Sequence, residues 1–235
     1  MTGRVGSAGY AAVVLTGGAG RRMGGVDKTA LPVGGSRMRD RVLAAVADAR
    51  PRIVVGPADD LPAGVRGVRE QPAGAGPVAA LAAGLALLYE VRAEPAPPHD
   101  TGAEPAPGAA PGGGADRRAP GVDSVALLAG DLPLLTADAV RDLRTALSAS
   151  TAADGVVYRD DAGRPQWLCG VWRPGALRRA LDRLATRTGG LAGVPVRALV
   201  AGLAVVEVSW RGSGPPPWFD CDTDEDLRRA EEWIR

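Results

Sequence analysis

Apolar residues follow two rhythms along this chain. Apolar runs within residues 10–16, 52–56 and 122–129 read as buried β-strands, and residues 65–70 as another. Between them, apolar positions recur at helical spacing. In 36–49, Met38, Val42, Leu43, Val46 and Ala47 share one face, with Ser36 as the N-cap. Pro77 opens a helix running to 92, Thr136 caps one running to 149, and Pro174 opens one running to 186. Pro32 keeps residues 29–33 extended. In the last third, 155–159 and 166–171 read as a strand pair around an Asp160–Gly163 turn. A short helix at 194–201 and a strand at 203–208 follow. Residues 219–222 read as a short extended piece, after which Thr223 caps the last helix in a capping box with Glu225 or Asp226.

Strands alternating with helices predict a single Rossmann-like three-layer α/β/α domain over residues 1–235, with a mostly parallel sheet. In such a fold ligands bind at the carboxyl ends of the strands. Residues 93–121 break the alternation. They are rich in proline, glycine and alanine, cannot bury enough apolar surface to offset ordering entropy, and read as a disordered insertion within the one domain.

Charge narrows the range of functions. The 28 basic and 27 acidic side chains nearly cancel, which leaves no general attraction to nucleic acid or to an anionic membrane. No stretch is long and apolar enough to span a bilayer, and the N-terminus makes a poor signal peptide. The only histidine, His99, lies in the proline-rich insertion, which argues against a zinc site or a Ser-His-Asp triad. Cys169 and Cys221 have no metal-ligand spacing. They are expected inside strands, as the buried thiols of a cytoplasmic protein.

The chemistry gathers after the first strand, in Leu15-Thr16-Gly17-Gly18-Ala19-Gly20-Arg21-Arg22-Met23-Gly24-Gly25-Val26-Asp27-Lys28. Five glycines let backbone N–H groups approach an anion, and three basic side chains would repel one another without one. The stretch is neither a P-loop, since Val26 and Asp27 separate Gly25 from Lys28, nor a dinucleotide fingerprint, since Met23 stands where the third glycine is needed. A polyphosphate cradle is the remaining reading. A second candidate is Asp131, which closes an apolar strand before Leu132-Pro133, where a carboxylate oxygen suits Mg2+.

The loop resembles the signature of nucleotidyltransferases with a G-T-A type α/β fold, and its Arg-Met-Gly-Gly-x-Asp-Lys ending is closest to the molybdenum cofactor guanylyltransferase family. The Gly130-Asp131-Leu132-Pro133 stretch resembles that family's metal-binding motif. Phe219-Asp220-Cys221-Asp222-Thr223 resembles its closing motif, with aspartates in place of two asparagines. The resemblance implies transfer of GMP from GTP to the phosphate of molybdopterin, or a related phosphate acceptor, with release of pyrophosphate. It implies that Leu15, Thr16, Gly17, Gly18 and Gly20 bind the nucleotide, along with Arg21, Gly76 and Pro77. Arg22, Lys28 and Asp131 would both bind it and carry catalysis, and Mg2+ would sit on Asp131 and Asp222. Asp222 also has a plainer reading, as part of an acidic helix N-terminus, and Asp220 is expected on the opposite face. Asp27 is expected to orient Lys28.

Several points depart from the pattern or stay open. Thr16 replaces an alanine, Ala80 replaces a glycine, and Glu70-Gln71 stands where the family has a nucleotide-contacting aspartate. Trp167 and Trp172 lie where the family binds its pterin and read either as stacking partners or as core. The family's role also implies transient contact with molybdoenzymes or other cofactor-biosynthesis proteins. Alternatives of the same fold are a cytidylyltransferase, a sugar-phosphate nucleotidyltransferase and a non-catalytic nucleotide-binding protein.

Overall fold

The computed structural model describes residues 9–17, 27–57, 60–93 and 122–235. In chain order, β1 (Tyr10–Leu15) is followed by a 3-10 turn (Lys28–Ala30), a hairpin of β2 (Pro32–Val33) and β3 (Ser36–Arg37), and α1 (Met38–Ala45). Next come β4 (Arg52–Val55), β5 (Val65–Val68) and α2 (Pro77–Ala93). The second half holds β6 (Ser124–Ala129), α3 (Ala137–Ala149), β7 (Gly155–Arg159), β8 (Pro165–Trp172), α4 (Pro174–Thr188), α5 (Val196–Val200), β9 (Val205–Val208) and α6 (Asp224–Ile234). The 93–121 insertion falls, apart from Ala93, outside the described residues.

All six residues of β1 are buried, as a strand covered on both faces requires. It is an interior strand of a seven-stranded sheet of order β5-β4-β1-β6-β8-β7-β9. β1 pairs in parallel with β4 on one side and β6 on the other, so the strand order reverses at β1. β8 runs antiparallel to β6 and β7, and β9 pairs in parallel with β7. The expected mostly parallel sheet is therefore present, with one reversed strand.

Two cores sandwich this sheet. On one face Val42, Leu43 and Val46 of the α1 region and Val140, Leu143 and Leu147 of α3 pack on Ala12, Val14 and Leu128. On the other, Leu81, Leu85 and Leu88 of α2 and Leu177, Leu181 and Leu184 of α4 pack on Val13, Ile53 and Leu127. These are the outer layers of the three-layer arrangement. A third cluster places α6 against the hairpin, with Val33, Met38, Leu134, Cys221 and Ala230 buried together.

Three expected elements differ. Ser36 does not cap α1, because Gly34 and Gly35 both take positive φ (57° and 77°) and turn Ser36–Arg37 back onto Pro32–Val33. The helix begins at Met38 without a side-chain cap, and Ala45 and Ala49, not Ala47, are buried. Residues 28–30 form a 3-10 turn instead of an extended run, capped by the Asp27 side chain. Residues 219–222 pair with no strand, so Cys221 is buried in a loop, whereas Cys169 lies in β8 as expected.

Candidate active site

β1, β4, β5 and β6 are mutually parallel, so their carboxyl ends share one edge of the sheet. The glycine-rich segment leaves that edge at Leu15. Thr16 is buried, and both its N–H and its hydroxyl donate to the Val55 carbonyl, at 2.9 and 3.1 Å, which fixes the root of the loop to β4. Gly17 follows at the surface. Gly18, Gly20, Arg21 and Arg22 lie outside the described residues.

Beside that root, β6 delivers Asp131. The Gly130 N–H donates to the Leu15 carbonyl at 2.8 Å, holding the two strand ends together. A Cβ on Gly130 would lie 2.9 Å from the Thr16 methyl and 3.0 Å from the Thr29 methyl, so only glycine allows this approach. Asp131 is thereby set between the root of the loop and the 3-10 turn that carries Lys28. That turn is rigid, because the Asp27 carboxylate accepts from both the N–H and the hydroxyl of Thr29, at 3.0 and 2.8 Å. Asp27 thus orders Thr29 and not, as expected, Lys28.

Lys28 has a different partner, since its ammonium donates to the Asp222 carboxylate. The Asp222 segment is brought here independently. The Cys221 N–H donates to the Asp131 carbonyl at 3.2 Å, and the Cys221 side chain is fully buried in the third core cluster. On the other side, the Asp222 N–H donates to Asp226 within the Thr223–Asp226 capping box. Lys28, Asp131 and Asp222, from three distant parts of the sequence, thus meet at one corner of the crevice.

The charges there do not balance among the described residues. Burial, then Asp220, then Asp222 push the Asp131 carboxyl up to about 6, against the pull of Lys28. Asp220 is raised too, by partial burial and then by Asp222 and Asp226. Strand alternation, which was expected to set Asp220 on the opposite face, does not apply to it, because its segment is a loop. Among the described residues no three His, Cys, Asp or Glu side chains gather closely enough to hold a metal by themselves. Surplus carboxylate charge with an incomplete ligand set fits Mg2+, which takes one or two carboxylates and fills its shell from water and phosphate.

Glu70 was not among the expected site residues. It is only 4% exposed, and one of its oxygens accepts from the Gly74 N–H at 2.9 Å. Its other oxygen is buried without a hydrogen-bond partner among the described residues. A Cβ built on Gly17 would lie 3.5 Å from the carboxylate. Glu70 therefore joins the root of the glycine-rich loop to the 70–76 loop, at whose end Gly76 (φ 95°) leads into α2 with Pro77 as its first residue. An acidic residue directly before a Gln-Pro-x-Gly loop was the available signal. Trp172 is fully buried against Gly155, which makes it core and removes it as a stacking partner, while Trp167 is partly buried.

Residues 12–205 match the family described as the MobA-like NTP transferase domain. No curated protein matches the sequence. Among solved structures, the chain is similar to molybdopterin-guanine dinucleotide biosynthesis protein A from Archaeoglobus fulgidus (TM-score 0.64, 19% identity, 95% of this chain and 97% of that one covered). It is also similar to 2-C-methyl-D-erythritol 4-phosphate cytidylyltransferase from Thermus thermophilus (TM-score 0.57, 18% identity, 95% and 98% covered). A third is 4-diphosphocytidyl-2C-methyl-D-erythritol synthase from Anaerococcus prevotii (TM-score 0.60, 12% identity, 96% and 98% covered). At such identities the likeness is one of fold.

Proposed function

Because the chain belongs to the MobA-like NTP transferase family, we propose that it transfers GMP from GTP to the phosphate of molybdopterin or a closely related acceptor, releasing pyrophosphate. The observation that carries this reading is the meeting of Lys28, Asp131 and Asp222 beside the root of the glycine-rich loop. A site that only bound nucleotide would have no need for a half-buried carboxylate flanked by two others. Guanine is favoured by the Gly17-Gly18 form of the loop, and the acceptor by the likeness of the Arg-Met-Gly-Gly-x-Asp-Lys stretch to guanylyltransferases.

In the proposed reaction an ionised phosphate oxygen of the acceptor attacks the α-phosphorus in line. A new P–O bond forms as the bond to the β-phosphate oxygen breaks, and the electron pair leaves with pyrophosphate. The nucleophile is already anionic, so no general base is required. Positioning and charge neutralisation carry the rate. Loop amides from Gly17 onward, with Arg21 and Arg22, hold the phosphates. Lys28 stabilises the charge that develops on the leaving group, and Asp131 and Asp222 hold Mg2+. Bound there, Mg2+ supplies charge neutralisation of the phosphates and a template for their alignment. Gly76 and Pro77 border the nucleoside side of the crevice, and the product passes to molybdoenzymes or to other cofactor-biosynthesis proteins.

Pyrophosphate release tests the reading. It is expected with GTP, Mg2+ and molybdopterin together, and to vanish in Asp131→Ala. Release with CTP in place of GTP would move the base assignment toward the cytidylyltransferases. Tight GTP binding with no release, acceptor present, would make the protein a nucleotide-binding protein without turnover.

A further inference from the structure

Lys28 is the only lysine in the chain, beside 27 arginines among its 28 basic residues. It stands where two roles converge. It ends the glycine-rich stretch, and its ammonium is held by Asp222. The two ends of that ion pair are anchored differently. The Asp222 backbone is fixed on both sides, by Cys221 to the Asp131 carbonyl and by Asp226 in the capping box. Its carboxylate is on a short stem. The Lys28 ammonium is at the end of a four-carbon stem whose base alone is fixed, by the Asp27–Thr29 turn. Asp222 is the fixed post, and Lys28 is the arm that can leave it.

The residue types suit an exchange. An arginine would grip the carboxylate through two parallel hydrogen bonds, whereas an ammonium is a compact point charge that can pass between oxygens. The pair is only partly sheltered, with side-chain exposures of 16% for Lys28 and 41% for Asp222. An arrangement of this exposure contributes little and is readily displaced. An aspartate at 222 can hold the ammonium by charge as well as by hydrogen bond, which an asparagine could not.

We propose that Asp222 is a positioning residue for Lys28. In the ligand-free protein it holds the ammonium at its own carboxylate, and it yields it to the nucleotide's phosphates only when a cation replaces lysine there. Lys28 is thus the element that makes triphosphate affinity depend on the divalent cation. This inference rests on the nucleotidyl-transfer reading.

The experiment is equilibrium binding of α,β-methylene GTP, which cannot be turned over, to the full chain. It compares the wild type with Asp222→Asn, Lys28→Met and the double variant, in EDTA and in Mg2+. In EDTA, Asp222→Asn is expected to bind about fivefold more tightly than wild type, the worth of one such ion pair. Placed on Lys28→Met, the same substitution is expected to gain nothing. A gain of equal size without Lys28 would show that removing a negative charge is the whole effect and would overturn the proposal. So would unchanged or weaker binding by Asp222→Asn in EDTA, or a gain that persists undiminished in Mg2+. A second readout follows the single lysine directly. In protein labelled with 13C-lysine, the ε-CH2 resonance is expected to shift on Asp222→Asn and on addition of Mg2+ alone, and no shift in either case would contradict the exchange. If no variant binds nucleotide under any condition, the functional reading itself falls and takes the exchange with it.

Discussion

The backbone N–H of Cys221 donates to the carbonyl of Asp131 at 3.2 Å, and that bond joins the closing segment of the chain to the end of β6. The Cys221 side chain fills a place among Val33, Met38, Leu134 and Ala230. Its thiol is pushed up to about 12, by burial first and then by nearby carboxylates, and the Cys169 thiol likewise by burial. Neither thiol is therefore expected to react with a disulfide reagent in the native protein at pH 8, and both are expected to react on unfolding. Rapid reaction of one thiol under native conditions would show that the closing segment is not docked as described.

Gly130→Ala tests how closely Asp131 must approach the loop. The added carbon would sit 2.9 Å from the Thr16 methyl and 3.2 Å from the Leu15 carbonyl oxygen. Such crowding typically costs about 1–3 kcal/mol. A lower unfolding midpoint together with a loss of transfer activity is expected, and a neutral substitution would show that the contact is slack.

Asp131 makes activity and stability respond oppositely to pH. With its carboxyl raised to about 6 in the metal-free protein, the ionised form that can hold Mg2+ is gained as pH rises through that value, so at subsaturating Mg2+ transfer should increase across it. For stability the folded state binds the proton more tightly than the unfolded chain between about pH 4 and 6. The ionised form therefore weakens the ligand-free fold, and that loss is complete above about 6. Asp131→Asn is expected to abolish transfer yet to stabilise the ligand-free protein at pH 8, on the order of 2 kcal/mol, with little effect near pH 4. Denaturant melts at the two pH values check this. Destabilisation at pH 8 would contradict the surplus of negative charge.

Glu70 offers a contrast between two substitutions. Glu70→Ala removes the acceptor of the Gly74 N–H, which belongs to an exposed glycine, and is expected to cost about 1 kcal/mol. Glu70→Gln keeps an acceptor and removes a buried charge, so its cost should be small. Equal costs in denaturant melts would mean that the second carboxylate oxygen is paired.

Much of this was legible in the residues. Apolar runs marked β1, β4 and β6, and polar caps such as Thr136 and Thr223 marked the helix starts, because burial and capping act locally. What escaped depended on contacts across the fold. Ser36 looks like a cap until the Gly34-Gly35 turn folds it back into a hairpin. Period-two alternation placed Asp220 away from Asp222, but it holds only for a paired strand, and residues 219–222 have no partner strand. Asp131 and Asp222 were identifiable as carboxylates worth testing. That Lys28 would grip Asp222, 194 residues away, could not be read from any local pattern. Glu70 looked like a departure from a motif until its carboxylate was seen beside Gly17.

The most direct test of the central claim follows the label. Incubated with Mg2+, molybdopterin and GTP labelled at either the α- or the γ-phosphorus, the protein should move the α label into an acceptor-bound dinucleotide. The γ label should appear only in pyrophosphate. Asp131→Ala and Lys28→Met should each remove the α-labelled product. Label passing from the γ position to the acceptor, or release of free phosphate with no dinucleotide formed, would contradict nucleotidyl transfer.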